Sequence, residues 1–159
     1  MDLKFRVAAR VARPVHETFE AVADPGQLSN YFTTGGAKGR LETGATVTWD
    51  FADFPGAFPV EVIEVVPNEK IVLRWEAHDG EILDGDANVH GGYQTEVTMR
   101  FSPVDGGERT KVEIEEKGWR ETAGGLTASY NNCMGWSQML AALKMWAEHK
   151  INLRDGAYK

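Results

Sequence analysis

Ser129, Asn132, Cys133 and Trp136 share one side of a helical stretch, because their positions repeat at intervals of three and four. A hydroxyl or amide buried without a partner costs about 1–3 kcal/mol. Ser129 and Asn132 are therefore near solvent, paired inside, or turned toward a cavity. If they face a cavity, Trp49, Phe51, Trp75, Tyr93, Thr95 and Val97 face it from the strands opposite. A mostly apolar pocket with a few polar groups is the usual form of a small-molecule site. The plainer alternative is that Ser129 and Asn132 line an exposed helix end and the aromatic residues are ordinary core.

Other reactive side chains carry less. Cys133 would need a base within hydrogen-bond reach to act as a nucleophile. The histidines are His16, His78, His90 and His149, and none is placed as an obvious partner. Cys133 is accordingly expected as a buried core thiol. Between His78 and Gly92 the run Asp84-Gly85-Asp86-Ala87-Asn88 begins like a calcium loop, but Val89 stands where the turn glycine belongs and Thr95 where the closing glutamate belongs. The histidine spacing fits no standard zinc pattern, so no metal or other cofactor is expected and the stretch reads as a solvated acidic loop. Its glycines would let it move over the cavity as a lid. Glu113 and Glu115 share an outward face, whereas Glu116 has inward parity and suits a polar group at a cavity mouth, provided the strand reaches that far before Gly118-Trp119.

The elements that would position these residues follow from periodicity. Leu3, Phe5, Val7, Ala9 and Val11 alternate with polar neighbours, as in a half-buried strand. Pro14 suits the first turn of a helix with Val15, Phe19 and Val22 on its apolar side. Asp24-Pro25-Gly26-Gln27 looks like a second helix start, with Asp24 as cap and Gln27 bonding back. From Gly35 to Glu116 alternating runs predominate, separated by turns at Pro67-Asn68-Glu69 and Asp105-Gly106-Gly107; a short strand near Lys38–Glu42 is the weakest of them. A long amphipathic helix from about Thr127 to Arg154 would cover the apolar face of the sheet, with Gly156 just beyond its end. This order predicts an α+β fold.

The 159 residues suit one domain, taken as 1–159. With 42% hydrophobic and 26% charged residues, the chain has enough apolar material to fold. No apolar run approaches the roughly 20 residues of a membrane span. The charged, alternating N-terminus lacks a signal core and Cys133 is the only cysteine, so a cytoplasmic protein is expected. The net charge of −7 opposes phosphate backbones, so nucleic acid is not expected as a partner.

The order of elements resembles the helix-grip (START-like, SRPBCC) superfamily, and within it the bacterial homologues of the activator of heat-shock protein 90 ATPase. The resemblance rests on Arg13-Pro14-Val15-His16-Glu17-Thr18-Phe19, on Ala23-Asp24-Pro25, on the hairpin from Val62 to Ile71 with Leu73-Arg74-Trp75, and on Gly135-Trp136 followed by Leu140 and Leu143. It implies a curved antiparallel sheet wrapped on the long C-terminal helix, as in pollen-allergen-type lipid carriers and polyketide cyclases. It brings no invariant catalytic motif. Tyr31-Phe32 replaces the tryptophan such proteins often carry after the second helix. The additional N-terminal domain of the eukaryotic co-chaperone has no room here, which counts against a chaperone role.

Three functions follow, in order of preference. The first is binding of a small apolar or amphipathic molecule in the sheet–helix cavity. The second is a cyclase or hydrolase using the same cavity. The third is a chaperone-partner-binding module. The protein would act as a monomer or as a homodimer through an exposed strand edge.

Overall fold

The computed structural model describes residues 1–79 and 91–157, apart from the side chains of Phe54 and Pro55. The alternating runs form strands β1 (Lys4–Val11), β2 (Gly36–Lys38), β3 (Thr46–Phe51), β4 (Phe54–Val66), β5 (Lys70–Glu76), β6 (Gln94–Val104) and β7 (Arg109–Lys117). Among the described residues they make one sheet in the order β1-β7-β6-β5-β4-β3-β2, each neighbouring pair antiparallel. Two turns use residues that tolerate a left-handed backbone: Asn68 at φ 64° between β4 and β5, and Asp105 at φ 50° followed by Gly106 and Gly107 between β6 and β7. In β4, Val62 pairs with Leu73 but Glu64 pairs with Val72, so Ile63 is an extra residue that bends the strand.

Helices α1 (Val15–Ala23) and α2 (Pro25–Leu28) lie between β1 and β2 in the chain, and α3 (Ala123–His149) follows β7. The Asp24 carboxylate accepts from the Gly26 N–H at 2.9 Å, as its capping role requires. Gln27 does not bond back as expected; its side-chain oxygen accepts from the Trp146 indole at 3.4 Å, tying α2 to α3. The core fills the space between the sheet's inner face and the helices, with Val60, Ile71, Met99, Ile114, Met139 and Leu143 among its fully buried members.

Helix α3 has 27 residues, about 40 Å at 1.5 Å per residue, but it starts and ends earlier than its apolar arc suggests. Thr122 caps it, accepting from the Gly125 N–H at 3.0 Å. Its first turn packs so closely that a Cβ on Gly124 or Gly125 would collide with the carbonyl oxygens of Asp79 and Arg120. Lys150, at φ 57°, ends it by donating its N–H to Trp146 O at 2.8 Å. The tail then turns back, so Ile151 is exposed and Gly156, at φ 68°, belongs to the tail instead of the helix cap. Ala12 N–H and the Arg13 guanidinium hold the far end of α3, donating to the Glu148 carboxylate at 2.9 Å and the Glu148 carbonyl at 2.7 Å.

Candidate functional site

Strand β7 runs through Lys117, so Glu116 is inside the sheet and fully buried, not at a mouth. Register brings the neighbours to it: Trp75 lies opposite Thr95 on β5 and β6, and Glu116 lies opposite Val97, two residues from Thr95 on the same face. From above, Asn132 and Trp136, one turn apart on α3, reach down. Glu116 Oε2 accepts from Trp75 Nε1 at 2.9 Å, Thr95 Oγ1 at 2.7 Å and Asn132 Nδ2 at 3.0 Å. Its Oε1 accepts from Trp136 Nε1 at 2.8 Å and Asn132 Nδ2 at 3.1 Å. A carboxylate offers about four lone-pair sites, and these contacts occupy them.

All four partners are neutral donors, so among the described residues the carboxyl is held by dipoles and not by a cation. Burial pushes the Glu116 carboxyl above its ordinary range, and the four donors pull it back. The indole N–H groups can only donate, so the hydrogen bonds favour the ionised form while burial opposes it. Chemically this is a buried carboxyl anchored by its hydrogen bonds. It joins three strands to α3, and its filled lone pairs leave no free acceptor for a proton transfer.

Around this carboxyl lies a connected set of rings. Trp75 contacts Trp136 at 5.5 Å and Trp49 at 5.8 Å between centroids. Phe32 meets Trp136 at 5.3 Å, Trp49 at 5.6 Å and Phe51 at 4.9 Å. Phe58 links Phe51 and Trp75, each at 5.8 Å. Trp49, Trp136 and Phe32 are buried, whereas Phe51, Phe58 and Trp75 remain partly exposed. The buried Trp49 Nε1 has no oxygen or nitrogen acceptor among the described residues. Trp75 and Phe32 cross it at 89° and 83°, an edge-to-face arrangement that suits an N–H against a π face. At one side of the set Arg154 pairs with Asp53 at 2.8 Å and holds its guanidinium 6.0 Å from the Phe32 centroid and 5.9 Å from that of Phe51.

Of the residues expected around a cavity, Trp75, Thr95, Asn132 and Trp136 therefore converge on one carboxylate, and Trp49 and Phe51 belong to the ring set. Val97 is fully buried in the main core. Tyr93 is drawn elsewhere: its hydroxyl donates to Asp79 Oδ2 at 2.5 Å and accepts from Arg120 N–H at 3.0 Å, and the Arg120 guanidinium lies 4.3 Å from its ring centre. The Ser129 hydroxyl is satisfied within the helix, donating to Leu126 O at 2.7 Å. Cys133 is half-buried, not the fully buried core thiol expected. Sequence reasoning had no place for Phe32 and Phe58 in the site, and left Glu116 at its margin. The signal for Glu116 was the pair Asn132 and Trp136, two inward donors one turn apart that need a shared acceptor.

Among the described residues no three His, Cys, Asp or Glu side chains gather to hold a metal ion. The calcium-loop reading of Asp84, Asp86 and Asn88, and most of the lid, lie outside the described residues. No helix of the described residues is long and apolar enough to cross a membrane. A separate cleft of about 580 Å³ opens where β1, β6 and β7 meet the N-terminal residues. Lys4, Arg74 and Lys117 face Asp2, Glu96 and Glu121 there, so it is charged in both signs and unlike the aromatic site.

A family model described as Activator of Hsp90 ATPase homolog 1-like protein matches residues 12–148. No curated protein sequence matches the chain. Solved structures share the fold. The protein SSP2350 from Staphylococcus saprophyticus is 22% identical at a TM-score of 0.71, over 97% of this chain and 96% of that one. The Aha1 dimer from Colwellia psychrerythraea is 17% identical at 0.68, over 92% of this chain and 96% of that one. DynU16, from the dynemicin biosynthetic locus, is 24% identical at 0.73; the match takes in 94% of this chain but only 49% of DynU16.

Proposed function

The chain belongs to the Activator of Hsp90 ATPase homolog 1-like family of START-like helix-grip proteins, and from that premise we propose that it binds a small apolar or amphipathic molecule between its sheet and α3. The observation that carries this reading is the row of partly exposed rings, Phe51, Phe58 and Trp75, on the sheet's inner face. Single exposed aromatic residues are common on protein surfaces, but three in contact, backed by a buried ring layer, form a ready apolar floor. Asn132, partly exposed beside Trp75, gives that floor a polar border.

The test is native mass spectrometry of the purified protein, then titration with the neutral ligand 2-naphthylmethanol by calorimetry. A released small molecule, or saturable naphthylmethanol binding weakened about three- to tenfold by Phe58→Ala, is expected. A bare mass together with no saturable binding to the folded chain overturns the reading.

A second reading, an enzyme of the cyclase or hydrolase kind, draws on the raised carboxyl of Glu116. It requires a substrate group to displace one of the four donors, since every lone pair is otherwise engaged. Because the Colwellia relative was solved as a dimer, the proposal extends to a cytoplasmic binding protein that forms homodimers, which sedimentation over a concentration series checks.

A further inference from the structure

The ring floor is electrostatically one-sided. The Glu116 carboxylate lies at the edge of one of its rings, accepting from the Trp75 indole N–H at 2.9 Å, and its contacts are neutral indole, hydroxyl and amide donors. Two of those donors, Trp75 and Asn132, are themselves partly exposed, so only one side-chain layer separates the charge from the open surface. The ring faces add to the same sign, because an aromatic face carries the negative lobe of its quadrupole.

The chain already uses this property once. Arg154, buried with Asp53, holds its guanidinium over Phe32 and Phe51 at 6.0 and 5.9 Å. Among the described residues no lysine or arginine stands over Phe58 or Trp75, which continue the same ring set. The floor thus has one end capped by the protein's own cation, while at the other end the His78 ring stands edge-on to Phe58 at 6.4 Å.

We propose that this site selects by charge, taking a ring-bearing molecule with an alkylated ammonium group and rejecting the carboxylate of the same skeleton. The inference rests on the reading of Phe51, Phe58 and Trp75 as a ligand floor, and adds the ligand's chemical class. The ammonium would lie over the Phe58 and Trp75 faces, on the side of the floor that Glu116 borders through the Trp75 N–H, while the apolar body packs along Phe51. An anionic ligand would meet the same rings with repulsion.

Three ligands of one skeleton test this by calorimetry at pH 7: (2-naphthylmethyl)trimethylammonium, 2-naphthylmethanol and 2-naphthylacetate. The expected order is ammonium tightest and acetate weakest, with about tenfold between ammonium and alcohol. Phe58→Leu, which keeps an apolar side chain but removes a ring face, should shrink the ammonium-to-alcohol ratio, weakening ammonium binding more than alcohol binding. Glu116→Gln should narrow the ammonium-to-acetate ratio; if that variant fails to fold, the wild-type order alone decides. Alcohol binding with acetate equal to or tighter than ammonium overturns the charge selection and leaves the ligand floor standing. Failure of all three to bind overturns both.

Discussion

Glu115 and Glu116 are neighbours on β7, identical in chemistry and opposite in fate. Glu115 points out from the sheet, where the Arg6 guanidinium donates to it at 3.1 Å in reach of water. Glu116 points in, loses all contact with solvent, and is held by two indoles, a hydroxyl and an amide. The outer pattern repeats along the sheet, with Arg74 on Glu96 at 3.1 Å and Lys111 on Glu113 at 2.8 Å. Outside, a carboxylate is balanced by a mobile cation and bulk water, and its loss is easily absorbed. Inside, it is balanced by fixed dipoles drawn from three elements, β5, β6 and α3, and each dipole depends on it in turn.

The sharpest way to break this comparison is Glu116→Leu. It leaves four donors without an acceptor, those of Thr95 and Trp136 on buried residues, and a loss of roughly 3–5 kcal/mol is expected in urea unfolding. A loss below about 1 kcal/mol would mean that the cluster relaxes or fills with water and is no anchor.

Carbon-13 titration of the side-chain carboxyls sharpens the same contrast by sign. Glu116 should titrate above the ordinary 4.5, because burial outweighs its hydrogen bonds. Glu113 should titrate below 4.5, because the hydrogen bond from Lys111 favours its charged form. The linked stabilities then run in opposite directions. A folded value above the unfolded one makes the Glu116 contribution complete below about pH 4.5 and lost as pH rises through its raised value. The Glu113 contribution is present above its unfolded value and lost as pH falls through its lowered one. Midpoints on the same side of 4.5 would remove the distinction.

The smallest effect belongs to the outer face. Arg6→Ala should cost no more than about 1 kcal/mol in the same urea measurement, since its pair with Glu115 is exposed and screened. A larger loss would make the outer ion pairs part of the anchoring system.

The layout of the sheet and of α3 was legible because both rest on local periodicity. Alternation along Leu3–Val11 or Thr95–Phe101, and the buried arc through Trp136, Met139, Leu140 and Leu143, need no knowledge of distant residues. The Glu116 cluster is the opposite case. Its members come from β5, β6, β7 and α3, and only the register of the strands and the seating of the helix bring them together. Parity marked Glu116 as inward, but Gly118 and Trp119 obscured how far β7 extends. The start of α3 was missed for a similar reason: Gly124 and Gly125 look unsuited to a helix until the carbonyls of Asp79 and Arg120 are found against them.

The pairing of β1 with β7 also orders events during synthesis. Lys4 lies opposite Lys117 and Val11 opposite Thr110, so β1 is made long before β7, its sheet partner among the described residues. At roughly 10 residues per second, β1 waits about ten seconds with its backbone unpaired, while the hairpins from β3 to β6 can already form. Its alternating Lys4, Arg6 and Arg10 keep one face of the waiting segment charged, which discourages it from adding to another nascent chain before its partner arrives.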